Sequence, residues 1–304
     1  MKRAIIIGDT RGYHLGSLLS CTSLMRLARR RYHLLGVHGG TWFRSHSYAE
    51  FVRKAKRWEF LGQAAAAEVV LCNGEGLLEP GSPYGSVFFH LARFLRAQEV
   101  QDIRLVNFTC TRAAYGDWRL FDALVPRDAA TYALLWSRHS HCTLGFDSSV
   151  LTPFHAGPRP RRTVVLFRGR KNIPAGDRAR IQRAFPQYTI VMASCFTPFR
   201  NADVTAATPA VLSRLLRGAE LVVSSSFHGI VASARMGTPF IPLETVPVAK
   251  NGLLSADLLG PLFATRTLDE WLGFYQSEEN RQAVRVRLRR VLPQCIQRAK
   301  RNVV

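Results

Sequence analysis

The chain has 304 residues, with 42 Lys and Arg against 21 Asp and Glu, for a formal charge of +21. Its 47% hydrophobic and 10% aromatic residues exclude a disordered chain, and its length is comfortable for two domains. The charge suits nucleic acid, an anionic membrane surface or a strongly acidic small substrate, with arginine forks matched to phosphate and carboxylate.

Short β-branched runs alternate with amphipathic stretches. Arg3 to Ile7 predicts a strand, Ser17 to Arg30 a helix, Tyr32 to Val37 a strand, and Ser47 to Gln63 one helix. Glu68 to Cys72 predicts a strand, Tyr84 to Gln98 a helix and Ile103 to Phe108 a strand. Phe121 to Val125 leads into a helix over Asp128 to Trp136, and Cys142 to Phe146 closes this half. Thr152 to Arg162, rich in Pro and Arg and without periodicity, reads as a linker. The alternation then restarts. Thr163 to Phe167 is a strand, Pro174 to Phe185 a helix, Tyr188 to Ala193 a strand, and Ala210 to Arg217 a helix. Leu221 to Val223 and Phe240 to Leu243 are strands around another helix, and Leu268 to Arg301 is helical with a break at Pro293. The βαβα pattern argues for parallel sheets covered on both faces. The expected fold is therefore α/β, with two Rossmann-like doubly wound domains (1–152 and 163–304) facing a cleft in a GT-B-like arrangement. The last helices of such a fold pack back on the first domain.

Six cysteines stand at 21, 72, 110, 142, 195 and 295, none in C-x-x-C spacing, so neither a zinc ribbon nor a redox motif is indicated. Most lie in apolar runs and read as buried free thiols of a reducing compartment. The apolar run near Met1 is too short for a signal peptide. No stretch approaches the roughly 18 apolar residues of a spanning helix. The expectation is a cytoplasmic protein, at most peripheral on the inner membrane face.

The most informative stretch is Ser224-Ser225-Ser226-Phe227-His228-Gly229, after the apolar Leu221-Val222-Val223 and before a small-residue run ending at Gly237-Thr238-Pro239. It predicts strand, tight polar loop, helix and strand. The serines offer capping oxygens, and Gly237 suits a left-handed helix stop. His228 then falls in the first turn of a helix, beside backbone N–H groups and the positive end of the dipole. Such a turn holds phosphate or carboxylate, and it biases the imidazole toward its neutral, proton-accepting form. The plainer alternative is a histidine that only packs against the turn.

Arg168-Gly169-Arg170-Lys171 follows the first strand of the second half and forms either an anion receptor or a solvated basic turn. Gly8-Asp9-Thr10-Arg11-Gly12 joins the first strand to the first helix without a G-x-G-x-x-G fingerprint. Its glycines allow close approach of a ligand, or simply make a βα turn with Ser17 as cap. Cys72-Asn73-Gly74-Glu75-Gly76 reads as a turn after its strand. There Glu75, a carboxylate at a strand tip, could act as a general base, or could cap the following helix or stay solvated. Arg127-Asp128 opens a helix, with Asp128 as N-cap, Arg127 paired to Asp147, and Arg127 a candidate for the cleft. His139, His141 and His38 have no carboxylate or cysteine at ligand spacing, so no metal is expected. The arginine-rich run from Arg281 to Arg301 either docks on the domains or lies on anionic lipid.

The Ser-Phe-His-Gly segment, its small-residue helix and the Gly-x-Pro-Phe that follows resemble the signature of the polysaccharide pyruvyl transferase family. Other members carry Arg-Leu-His-Gly there, so Ser226 replaces an arginine. Gly8 to Ser17 is similar in place to the family's Gly/Asn-rich turn, although it lacks the Asn-x-Gly-Asp order. Cys72 to Leu78 resembles its Gly-Gly-Gly-x-Leu turn, with Asn73 and Glu75 as polar substitutions. Arg127-Asp128 and Asp147 resemble its Arg-Asp helix start and the aspartate about twenty residues on. The resemblance implies phosphoenolpyruvate as donor, without a further cofactor. It implies a sugar hydroxyl pair on a glycan or lipid-linked precursor as acceptor, and a pyruvate ketal as product. It places His228 and Glu75 in catalysis, and Arg168, Arg170, Lys171, Ser225, Ser226, Phe227 and Gly229 around the donor. Gly8, Asp9, Asn73, Gly74 and Gly76 would face the acceptor. The competing reading is a GT-B glycosyltransferase, in which Glu244 would hold the ribose of a nucleotide sugar. A nonenzymatic nucleic-acid or membrane binder fits the charge, but no nucleic-acid recognition motif is present.

Overall fold

The computed structural model describes residues 1–8, 15–39, 47–55, 60–78, 85–113, 116–154, 162–169, 173–194, 204–205, 208–243, 250–263 and 266–303. The chain divides into two compact units. Unit 1 comprises Met1–Gly12, Ser20–Ser148 and Gln297–Val304, and unit 2 comprises Tyr13–Leu19 and Ser149–Ile296. Among the described residues, no helix is long and apolar enough to cross a membrane.

Unit 1 is built on strands β1 (Arg3–Ile7), β2 (His33–His38), β3 (Val69–Leu78), β4 (Ile103–Cys110) and β5 (Ala123–Pro126). All pairings are parallel, in the order β2-β1-β3-β4-β5. Its helices are α1 (Leu15–Arg29), which starts in unit 2, α2 (Tyr48–Ala55), α3 (Phe60–Ala66), α4 (Gly85–Arg96) and α5 (Ala129–Leu135). The pleat explains the continuous apolar strands. Ile5 and Ile7 join one buried cluster with Phe51, Leu91 and Leu105, while Ala4 and Ile6 join another with Leu24, Ala28 and Val106. Both faces of β1 are therefore covered.

Unit 2 holds β6 (Thr163–Arg168), β7 (Thr189–Ser194), β8 (Val204–Thr205), β9 (Leu221–Ser224) and β10 (Phe240–Pro242). They too are parallel, in the order β10-β9-β6-β7-β8. The helices are α6 (Ala175–Ala184), α7 (Pro209–Arg217), α8 (Phe227–Met236), α9 (Lys250–Leu259), α10 (Leu268–Gln276) and α11 (Glu278–Lys300). Two doubly wound sheets follow, with different strand orders. Unit 1 has the flavodoxin-like order, with its switch point between β1 and β3. Counted from β6, unit 2 has the Rossmann order, with its switch point between β6 and β9.

The structure corrects several expected boundaries. β3 does not turn after Cys72. It runs on to Leu78 beside β4 with a register shift between Asn73 and Gly76. A Cβ on Gly74 would lie 2.7 Å from the Phe108 Cβ, so the glycine lets the strands stay close. The expected helix over 47–63 is described as α2 and α3. Cys142 makes only an isolated bridge to Leu124. Pro293 lies inside α11 without ending it. Buried Leu288 on one side and buried Cys295 and Ala299 on the other anchor the helix through the lost backbone bond. β8 and α9, too short or too weakly periodic to read from the sequence, complete the unit.

Candidate functional site

The switch point of unit 2 is built around the loop from β9 to α8. Ser224 closes β9, and its Oγ accepts from the Ser226 N–H at 3.1 Å and donates to the Ser226 carbonyl at 2.9 Å. The Gly169 N–H donates to Ser225 Oγ at 2.9 Å. Ser226 is the N-cap of α8, its Oγ accepting from the Gly229 N–H at 3.3 Å. The helix ends at Gly237, left-handed at φ +70°. All three serines are buried. Ser225 and Ser226 were expected at the donor. Their hydroxyls instead hold the turn together.

Glycines set how tightly this turn packs. A Cβ on Gly169 would come within 2.8 Å of the Ser225 carbonyl oxygen. One on Gly229 would come within 2.5 Å of the Phe167 ring and of Ser224 Oγ, so α8 presses directly on β6 and β9. Phe227, also expected at the donor, is buried and meets the His228 ring edge-on at 5.7 Å.

His228 is half-buried in the first turn of α8, as the sequence predicts. Its ring also lies against Gly16, where any Cβ would collide with the imidazole. Gly16 is the second residue of α1. The imidazole therefore stands where the first turns of two helices meet, the ends at which a helix dipole is positive. Arg168 ends β6 at the same switch point and is 5% exposed. Arg170, Lys171 and Glu244 lie outside the described residues.

At the switch point of unit 1, Gly8 adopts φ +107°, and a Cβ there would lie 2.5 Å from the Asn73 carbonyl oxygen. Asn73 donates from Nδ2 to the Gly8 carbonyl at 3.1 Å and accepts at Oδ1 from Asn107 Nδ2 at 3.0 Å. It is 1% exposed, which corrects its expected contact with a sugar hydroxyl. Glu75 and Gly76 belong to β3, but the Glu75 side chain lies outside the described part, as does Asp9.

Asn107 was missed by sequence reasoning. It lies fully buried inside β4 at φ +59° and donates to Ser20 Oγ at 2.8 Å as well as to Asn73. Its Oδ1 accepts from the Ser148 N–H at 3.3 Å. The available signal was a polar residue interrupting the apolar run Leu105-Val106-Asn107-Phe108. Asn tolerates the left-handed region better than the β-branched residues around it.

The expected ion pair is present: Arg127 Nη1 meets Asp147 Oδ2 at 3.0 Å. Arg127 Nε donates to Thr109 Oγ1 at 2.9 Å, and Asp128 caps α5 by accepting from the Thr131 N–H at 2.8 Å. Arg127 is 2% exposed, so its fork is committed to the interior and does not serve as a ligand-facing candidate. Burial pushes the Cys72 thiol up and that of Cys142 up to about 11, which disfavours either as a thiolate nucleophile near neutral pH. Among the described residues, no group of three or more His, Cys, Asp and Glu is placed to hold a metal ion.

Residues 118–245 match the family model of polysaccharide pyruvyl transferase. The match includes Arg127, Asp128, Asp147, Arg168 and the whole β9–α8–β10 segment with His228. The resemblances at Gly8 to Ser17 and Cys72 to Leu78 lie outside it. No curated protein sequence matches the chain. Among solved structures, UDP-GlcNAc 2-epimerase from Neisseria meningitidis bound to UDP-GlcNAc aligns with TM-score 0.58 and 10% identity, over 98% of this chain and 100% of that one. S. aureus MnaA in complex with UDP aligns with TM-score 0.56 and 12% identity, over 100% and 91%. A UDP-glucosyltransferase from Polygonum tinctorium aligns with TM-score 0.55 and 9% identity, over 99% and 97%. At these identities the likeness shows the fold, which is GT-B-like.

Proposed function

We propose that the protein transfers a pyruvyl group from phosphoenolpyruvate to two hydroxyls of a glycan or lipid-linked sugar, forming a pyruvate ketal. The observation that carries this reading is the His228 turn at the β6–β9 switch point, which falls within the residues matched by the family model. The start of α8, the start of α1 and Arg168 supply positive potential for a ligand bearing phosphate and carboxylate. Arg170 and Lys171 extend that set. Ser225, Ser226, Phe227 and Gly229 act by shaping the turn.

The chemistry balances without an oxidant or a reductant. A proton is added to the methylene carbon of the donor, which becomes the methyl group, and the adjacent carbon becomes electrophilic. One sugar hydroxyl attacks that carbon and gives up its proton. Phosphate leaves with the electrons of its C–O bond, and the second hydroxyl closes the ketal and releases the second proton. His228 is the group assigned to proton transfer, and Glu75 of unit 1 is the second candidate. Positive charge held around the phosphate stabilises the leaving group. Gly8, Asp9, Gly74 and Gly76 remain the proposed acceptor side.

A second reading, glycosyl transfer from a nucleotide sugar, is favoured by the fold shared with enzymes of UDP-sugars. Thermal-shift titration separates the two. Under the proposal, phosphoenolpyruvate raises the melting temperature and UDP-sugars do not. The opposite pattern would transfer the assignment to the second reading.

A further inference from the structure

We infer that unit 1 carries, at the amino edge of its sheet, a docking surface for an anionic lipid bilayer. The inference does not depend on the transfer reaction. Between Asp9 and Glu50 the chain has no carboxylate. Within that span Arg26, Arg29 and Arg30 have the i, i+3, i+4 spacing of one helix face at the end of α1. The turn that follows is fixed by the N–H groups of Arg31 and Tyr32, both donating to the Ala28 carbonyl, at 2.9 and 2.8 Å. The His33 N–H then donates to the Lys2 carbonyl at 2.9 Å, bringing Lys2 to the same edge. Lys2, Arg26, Arg29, Arg30, Arg31 and His33 are all exposed.

The three carboxylates immediately before the neighbouring strands are already matched, while the exposed Glu99, in the turn ahead of β4, has no ion pair among the described residues. Glu68 meets Arg3 at 3.5 Å, Asp102 meets Arg104 at 2.6 Å, and Asp122 meets Arg96 at 2.6 Å. Arg26, Arg29, Arg30 and Arg31 have no carboxylate partner among the described residues. They form a cluster of guanidinium forks with uncompensated charge, suited to a plane of phosphate groups. Tyr32 is buried, which leaves His33 as the one exposed ring among Arg26 to His33, short of the row of stacking rings that single-stranded nucleic acid uses. Gly8 and Asn73 stand at the opposite, carboxyl edge of the sheet, which docking through the amino edge leaves uncovered.

The test is co-sedimentation of the purified full chain with vesicles. It should bind phosphatidylglycerol–phosphatidylcholine vesicles at low salt, release as salt rises, and ignore pure phosphatidylcholine. The R29E/R30E/R31E variant should lose about a hundredfold in apparent vesicle affinity with an unchanged melting temperature. Should that variant fail to fold, Arg30→Gln with Arg31→Gln, both beyond the end of α1, should still weaken binding. Wild-type affinity in the folded variant, no binding to anionic vesicles, or a preference for duplex DNA at equal phosphate concentration would each overturn the inference.

Discussion

The two switch points use the same backbone device to different ends. In unit 1, Gly8 follows β1 where a Cβ would meet the Asn73 carbonyl at 2.5 Å; in unit 2, Gly169 follows β6 where a Cβ would meet the Ser225 carbonyl at 2.8 Å. In each, a glycine lets the neighbouring segment of chain close over a strand end. Beside Gly8 the protein's own amides are bonded to one another, Asn73 donating to the Gly8 carbonyl and accepting from Asn107. Around Gly169 stand an arginine and a histidine beside two helix starts. The doubly wound sheet supplies the location, and the side chains placed there give the two strand ends different character.

This contrast breaks most visibly at His228. Replacing it with Ala should lower pyruvyl transfer by about 10²–10⁴-fold while leaving the circular-dichroism melt near wild type. Full activity would remove the imidazole from the reaction. Gly16→Ala is the sharper probe, because its methyl group must displace the same ring without touching its chemistry. Activity should fall by about 10²-fold, from misplacement alone. A variant with wild-type kcat and KM would show that the contact between α1 and His228 does not position it.

Changes in the buried polar networks of unit 1 should act on stability instead. Asp147→Ala leaves the Arg127 guanidinium buried without its ion pair and should cost about 3–5 kcal/mol in chemical denaturation. Asn107→Ala should cost about 1–3 kcal/mol, from the polar groups of Asn73 and Ser20 left unsatisfied. It also places a Cβ-bearing residue without Asn's tolerance at φ +59°. Asn107→Gly keeps the backbone conformation accessible, so it should be the milder variant if strain contributes. Equal losses would assign the whole effect to the amide.

Much of the fold was legible because its signals are local. The runs Ala4 to Ile7, Val69 to Cys72 and Val164 to Phe167 are apolar on both faces, as strands buried in a parallel sheet must be. The Ser226 cap and the Gly237 stop bracket α8 by chemistry that the sequence displays directly. What stayed hidden depends on contacts distant in sequence. β3 continues past Cys72 because β4 lies beside it, and Gly74 looks like a turn residue until Phe108 is seen against it. Asn73 reads as a ligand contact because nothing local reveals that Asn107 and Gly8 consume its amide. The place of His228 in the first turn of α8 was readable. The support of its ring by Gly16, more than two hundred residues earlier, was not.

The most direct test of the central claim follows the transferred group itself. Purified protein is incubated with phosphoenolpyruvate and candidate glycan diols, and released phosphate is measured alongside the mass of the glycan. The account predicts phosphate release that requires the acceptor, with one acid-labile pyruvyl group gained per phosphate. Absence of phosphate release across the acceptors, together with release of UDP and glycan extension when a UDP-sugar is supplied, would contradict it.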